Sequence, residues 1–278
     1  MISPSLLEKV LSKLALPTKP TLDLAGLNQT YAAYSGKIPN DNVHKRIWLA
    51  GNRATPVTGG DPTEFFENWL AHGTGGTCFP ANGALCVLLT AVGFDARRIL
   101  GSAMMEGVEQ DGNHGSVLVR LDEVNYLVDA QLAAFSVLPL VMGRRASTGD
   151  GIHDIHAVPF EEGFDVQWYP GANRQTPMVM RPDLKRGPAA HGVFLTQYAL
   201  SASRNRRRSP FNEALFIGRH FPHRLLTVSR KPGRKYLLTI WSQGARSPVP
   251  SGSQILVDEF GISAEIVEAI PPDEDART

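Results

Sequence analysis

Cysteine is scarce in this sequence, with only Cys78 and Cys86 among 278 residues. Both fall on what reads as one helix, where eight residues span roughly 12 Å, too far for a disulfide. The spacing matches no zinc motif, and a free pair suits a reducing compartment. Charge of one sign is lacking too: 28 basic against 27 acidic residues leave a formal net charge of +1. That balance gives no reason to expect nucleic acid or an anionic membrane as the main partner. No stretch approaches the roughly 18 apolar residues of a membrane span. The amphipathic N-terminus MISPSLLEKVLSKLAL breaks any signal-peptide core with polar residues. A soluble, cytoplasmic protein with no nucleic-acid or membrane partner is the expectation. Internal repeats, low-complexity segments, P-loops and dinucleotide fingerprints are also missing, which leaves nucleotide hydrolysis and hydride transfer unsupported.

What is present is an ordinary apolar fraction of 42%, sufficient for a core. The first third reads as helical. Ser3-Pro4 is an N-cap and first-turn pair before Leu6, Leu7, Val10, Leu11 and Leu14. A second helix is expected over 22–35, with Gly36 as its stop. A loop follows over 51–60. Asp61-Pro62-Thr63-Glu64 resembles a capping box, with Asp61 as N-cap and Glu64 reaching back to it. Cys78 then opens an apolar helix stopped by Gly93. From Asp95 onward, RRILGSAMM, GSVLVRL, NYLVDAQL, AVPF, FDVQWY, MVMRP and VFLTQYAL read as strands, an antiparallel sheet or a small barrel. In the last third, Ser209-Pro210 predicts a short helix through Phe216. LLTVS and KYLLTIW flank a hairpin turn at Lys231-Pro232-Gly233-Arg234, Ser263 caps a final helix, and PPDEDART frays. Helices, then strands, then a mixture point to α+β.

The chemistry centres on Cys78. It follows Gly75-Gly76 and begins a helix, where unpaired N–H groups and the macrodipole favour thiolate over thiol. Pro80, which has no N–H, suits a first turn, and the glycines permit close approach of backbone to substrate. The plainer reading is a loop followed by an inert buried cysteine. His114 precedes the strand GSVLVRL and Asp129 ends the strand NYLVDA. A hairpin turning at Asp122-Glu123 puts Leu121 opposite Val124 and Asp129 opposite Ser116. His114 and Asp129 then share one sheet face as diagonal neighbours, within side-chain reach. Asp129 can fix one tautomer of His114, leaving the other nitrogen for Cys78. A one-residue slip in register would break this arrangement.

GGTCFPANGALCVLL, NHGSVLV and YLVDA resemble the arylamine N-acetyltransferase family, with spacings of 36 residues from Cys78 to His114 and 15 from His114 to Asp129. The likeness extends over LPTKPTLDLAGLNQTYAAYSGKIPNDNV, Pro139-Leu140, SPFN at 209–212 and LVDEFGI at 256–262. The resemblance implies an N-terminal helical bundle over 1–93 carrying the nucleophile, a central antiparallel β-barrel over 94–188 carrying His114 and Asp129, and a C-terminal α/β lid over 189–278. It implies a Cys78–His114–Asp129 triad working by ping-pong acyl transfer, with no permanently bound cofactor. Acetyl-CoA or another acyl thioester is the donor. A small amine, hydrazine or hydroxylamine is the acceptor.

The sequence departs from the family pattern where Thr74 replaces an arginine, Pro80 a glutamate and Gln131-Leu132-Ala133 a glycine-phenylalanine-glycine, which implies an altered acceptor pocket. Two other functions fit the same triad: amide synthesis on a chain borne by an acyl carrier protein, and papain- or transglutaminase-like thiol hydrolysis. The run Arg204, Arg206, Arg207 and Arg208 reads as a solvated loop, or alternatively as a contact to CoA phosphate or a carrier protein. His153 and His156 around Asp154 read as a loop rather than a metal site, and Cys86 reads as core.

Overall fold

The computed structural model describes residues 2–105, 108–109, 111–132, 134–149, 152–169, 176–203, 210–230, 236–242 and 245–272. Ala133, the arginines of 204–208, Ser209, the turn at 231–234 and the tail from 273 lie outside them.

The helices are α1 (Pro4–Leu14), α2 (Leu24–Lys37), α3 (Val43–Ala50), α4 (Pro62–His72), α5 (Cys78–Ala91), α6 (His191–Ser201), α7 (Pro210–Glu213), α8 (Gln254–Asp258) and α9 (Ala264–Ala269). The starts of α1, α2 and α4 follow local capping chemistry. Ser3 Oγ accepts from Leu6 N at 3.2 Å, Asp23 Oδ1 from Gly26 N at 2.8 Å, and Asp61 Oδ1 from Thr63 N at 2.8 Å. Glu64 does not reach back to Asp61; its Oε2 accepts from Gly59 N at 2.8 Å and so ties the preceding loop to α4. Nor does Gly36 stop α2. The helix ends at Lys37 because Ile38 precedes Pro39 and is held extended at φ −101°, ψ 118°. Among the described residues no helix is long and apolar enough to cross a membrane.

The strands are β1 (Asn40–Asp41), β2 (Asp95–Met105), β3 (Val108–Glu109), β4 (His114–Leu121), β5 (Val124–Val128), β6 (Leu138–Leu140), β7 (Ala146–Gly149), β8 (Asp154–Phe160), β9 (Gly163–Tyr169), β10 (Met178–Pro182), β11 (Leu215–Phe221), β12 (Arg224–Arg230), β13 (Tyr236–Ser242) and β14 (Ala245–Ser251). The larger sheet runs β6-β5-β4-β2-β10-β9-β8-β7, antiparallel throughout, and curls until β6 approaches β7 and β8 in a nearly closed barrel. The hairpin of β4 and β5 turns at Asp122 and Glu123, both at positive φ, with Leu121 opposite Val124 and Val117 opposite Val128. The second sheet, β1-β11-β12-β13-β14, buries one face under α8 and α9. The fold is α+β, with helices first, the barrel in the middle and an α/β layer at the C-terminus.

Three segments differ from the sequence expectation. VFLTQYAL is helix α6, not a strand: Phe194 and Tyr198, four residues apart, bury one face, and Phe194 meets Phe79 of α5 edge-on at 5.4 Å. The helix after Pro210 stops at Glu213, because Leu215 and Ile217 point alternately into the core of the second sheet. Asp154 and His156 belong to β8 rather than a loop.

Helix α5 is central. Leu85, Leu88 and Leu89 are fully buried between the barrel residues Val117, Val119 and Val166 and the residues of α1, α2 and α4. Burial of each such side chain stabilises by about 1.5–3 kcal/mol, so the start of α5 is anchored by its own body.

Candidate active site

The polypeptide reaches α5 through a turn that only glycine can make. A Cβ on Gly75 would lie 1.8 Å from Pro39 O, and one on Gly76 would lie 2.9 Å from Pro80 Cγ. The approach is close because β1 runs beside the turn: Asp41 N donates to Gly76 O at 3.3 Å, and Asn40 and Gly76 form a parallel bridge. Thr77 is the N-cap of α5 but offers it no side-chain hydrogen bond, so Cys78 begins a helix whose first N–H groups are uncapped by that side chain.

Cys78 is half-buried beside His114, at the head of β4, whose hydrogen-bonding capacity and charge act on the thiol. His114 Nε2 lies 2.7 Å from Asp129 Oδ2, which assigns the remaining ring nitrogen, Nδ1, to Cys78. The hairpin register places Asp129 one residue beyond the Val117–Val128 pair, opposite Ser116 and diagonal to His114. All three residues expected from the sequence are therefore brought together.

The carboxylate is held from every side. Asp129 is 1% exposed. Ser116 Oγ donates to its Oδ2, and Oδ1 accepts from Asn82 Nδ2 at 2.9 Å and Gln131 N at 2.9 Å. Tyr31 of α2 donates to the Asp129 carbonyl at 2.7 Å. Asn82 also donates to Gly115 O at 2.6 Å and accepts from Ala130 N at 2.9 Å, so it ties α5 to both strands of the hairpin.

The electrostatics agree across the trio. Burial alone would raise the Cys78 pKa, but the hydrogen bond and charge of His114 outweigh it and hold the thiol below its ordinary value. Burial would lower His114, yet the charge and hydrogen bond of Asp129, with Cys78, raise it well above the usual histidine value. Burial would raise Asp129, but the charge of His114 and the bonds from His114, Ser116 and Asn82 leave it lowered. A thiolate–imidazolium pair backed by an ionised carboxylate is the form these shifts favour.

Asn82, Ser116 and Tyr31 surround the trio beyond the residues the sequence points to. Two signals existed: Asn82 is a polar residue in an otherwise apolar helix, four positions after Cys78, and Ser116 lies two residues from His114 on the same strand face. Tyr31 left none, since its partner is 98 residues away.

Of the positions that depart from the family pattern, Thr74, Pro80, Gln131 and Leu132 are among the described residues. Thr74 is fully buried and pairs through Oγ1 with His44 Nε2 at 2.8 Å. Burial, with the charge of His72, depresses His44 to about 4, so this imidazole is neutral. Pro80 packs on Gly76, Leu132 is 8% exposed in the main core, and Gln131 Nε2 reaches Gly76 O at 3.5 Å. Cys86 is buried among core residues, away from these contacts. Among the described residues no group of three His, Cys, Asp or Glu is arranged for a metal ion.

A family model described as N-acetyltransferase matches residues 23–264. No curated relative matches the chain. Among solved structures, the arylamine N-acetyltransferase of Salmonella typhimurium aligns with a TM-score of 0.77 at 19% identity, over 94% of this chain and 92% of that one. That of Mycobacterium marinum in complex with CoA aligns with a TM-score of 0.76 at 17% identity, over 94% of each chain. A Bacillus cereus arylamine N-acetyltransferase with a Cys-His-Glu catalytic triad aligns with a TM-score of 0.74 at 14% identity, over 94% of this chain and 100% of that one. The last differs from the trio described above at the carboxylate.

Proposed function

Because this chain belongs to the arylamine N-acetyltransferase family, we propose that it moves an acetyl group from acetyl-CoA to a small amine, hydrazine or hydroxylamine by a ping-pong route through acetyl-Cys78. The observation that carries the proposal is the 2.7 Å contact of His114 Nε2 with Asp129 Oδ2, beside a thiol whose pKa the same imidazole pulls down.

In the first half-reaction the Cys78 thiolate attacks the thioester carbonyl. The carbonyl carbon–sulfur bond to CoA breaks, and the CoA sulfur takes the proton held on His114. In the second, the amine nitrogen attacks acetyl-Cys78, His114 takes the amine proton, and Cys78 leaves as thiolate. Asp129 keeps one ring nitrogen of His114 engaged, so proton exchange runs through the other. N–H groups at the start of α5, where Thr77 supplies no side-chain cap, are the donors that would meet the oxyanion. The enclosed carboxylate favours orientation and charge stabilisation over proton uptake by Asp129 itself.

Incubation with acetyl-CoA and intact-protein mass spectrometry tests this. One acetyl adduct is expected, mapped to Cys78 and discharged by an aromatic amine or hydrazine. No adduct with acetyl-CoA or any longer acyl thioester would overturn it, and hydrolysis indifferent to added amine would favour a thiol hydrolase.

A further inference from the structure

Asp41 is a buried carboxylate outside the trio, and it touches the turn that delivers Cys78. It is 1% exposed. Its Oδ2 accepts from Gly75 N at 2.5 Å and its Oδ1 from Val43 N, the first residue of α3, at 3.0 Å. Its own N–H donates to Gly76 O at 3.3 Å, and its Cα pairs with Ile217 of β11. The next residue, Asn42, binds Phe211 O, Ala214 O and Phe216 N at 2.8, 2.7 and 2.9 Å. Two consecutive side chains thus join the nucleophile turn to the C-terminal layer.

We propose that Asp41 is a positioning residue for Cys78, its two carboxylate oxygens clamping the Gly75–Gly76 turn to the start of α3 so that the thiol stays on His114. The inference rests on reading Cys78 as the nucleophile. An asparagine cannot do the same work. It offers one acceptor oxygen, and its amide donors would face a backbone N–H donor at the other position.

The charge is retained at a cost. No cation pairs with Asp41 among the described residues, and burial pushes its pKa up to about 6 against the pull of the Gly75 and Val43 amides. With a folded value above the unfolded one, the stability this group contributes is present below about pH 4 and is lost as pH rises through about 6. A purely structural residue at this site would be better neutral. The other ionisable groups around the turn are already engaged. Tyr198 of α6, whose ionisation is opposed first by burial and then by the charge of Asp41, donates to Thr58 O at 3.1 Å. His44 is on Thr74, and Lys45 is on Ser201 O at 3.1 Å and Oγ at 3.0 Å. Cys78 itself answers to His114.

The test compares the whole chain with Asp41→Asn, reading Cys78 alkylation by iodoacetamide with peptide mapping, its pH dependence, and thermal unfolding. Slower alkylation of Cys78 is expected, with the acid limb of its pH profile moved up by about one pH unit, so that the rate on that limb falls about tenfold, the effect of one pKa unit on the thiolate fraction. Ser3→Ala, which loosens α1 away from the site, should lower the melting temperature and leave alkylation unchanged. Asp41→Ser carries the same expectation where the amide is not tolerated. Unchanged rate and pH profile in the Asp41 variants would overturn the proposal. An acetyl adduct on the unaltered chain with normal alkylation in the variants fails the clamp alone. No adduct, with alkylation still dependent on Asp41, fails the acetyl-transfer reading and leaves the clamp standing.

Discussion

Asn82 lies one helical turn beyond Cys78, and its Nδ2 donates to Asp129 Oδ1 at 2.9 Å, so the helix that presents the thiol also holds the carboxylate. The relationship fixes α5 against the β4–β5 hairpin through a fully buried amide with three partners.

Asn82→Ala leaves Gly115 O, one Asp129 oxygen and Ala130 N short of a partner in a buried setting. An unmatched buried polar group costs about 1–3 kcal/mol. Denaturant titration should show a loss in that range or above it. Acetyl transfer should fall at least about tenfold, in kcat more than KM, because the Asp129–His114 geometry loosens. Wild-type kcat in this variant would remove Asn82 from the positioning of the site.

The two cysteines should separate cleanly. Cys78→Ala is expected to abolish the acetyl adduct and turnover with little change in the melting curve, since Cys78 is half-buried at a helix end. Cys86 is 4% exposed in the core, and burial raises its thiol pKa, so it is a poor nucleophile. Cys86→Ala should cost about 1–2 kcal/mol for the small cavity and leave most activity. Substantial turnover by the Cys78 variant would refute its assignment as nucleophile.

The pH dependence follows from the directions of the shifts. Cys78 is lowered from the thiol value and His114 raised from the imidazole value, so the ion pair persists across neutrality. The alkylation rate of Cys78 should form a plateau around pH 7, falling on the acid side as the thiolate protonates. For stability, Asp129 is depressed, so its contribution is present above about pH 4 and lost as pH falls through its folded value. His114 is raised, so its contribution is present below about pH 6.5 and lost as pH rises through its folded value. Thermal melts of wild type and Asp129→Asn across pH check this. A difference between them that does not vary with pH would contradict it.

The glycine turn should tolerate no side chain at position 75. Gly75→Ala places a methyl 1.8 Å from Pro39 O, a backbone atom that cannot swing away. A loss above about 4 kcal/mol, or failure to accumulate as folded protein, is expected. Gly76→Ala meets Pro80 Cγ at 2.9 Å and Phe65 Cε2 at 3.1 Å, side-chain atoms with some freedom, and should cost about 1–3 kcal/mol. Soluble yield and melting temperature of the two variants give the ranking; equal tolerance would show that β1 does not press on the turn.

Local chemistry made much of this legible. Ser3, Asp61 and Ser263 announce helix starts because an N-cap needs only an acceptor within three residues. The β4–β5 hairpin could be registered from its turn, and with it the His114–Asp129 diagonal, because side-chain alternation in a strand is rigid. The family likeness was legible around Cys78, His114 and Asp129. A short apolar run fits either period: VFLTQYAL reads as a strand in sequence, and only the packing of Phe194 and Tyr198 against α5 makes it helix α6. Helix α3 carries no start signal of its own, since Asn42 gives it no side-chain cap and Asp41 supplies the bond to Val43 N instead.

By itself, then, the sequence determined the capped helix starts at Ser3, Asp61 and Ser263, the register of the β4–β5 hairpin and the candidate trio of Cys78, His114 and Asp129, since each rests on a cap, a turn or a motif only a few residues long. Only the tertiary structure decided what holds the trio: Asn82 on Asp129 across 47 residues, Tyr31 on its carbonyl across 98, and Asp41 on Gly75 across 34. Such partners leave no periodic trace in the chain. A hydrogen bond between distant segments exists only once the core has brought their backbones within about 3 Å of each other's polar groups.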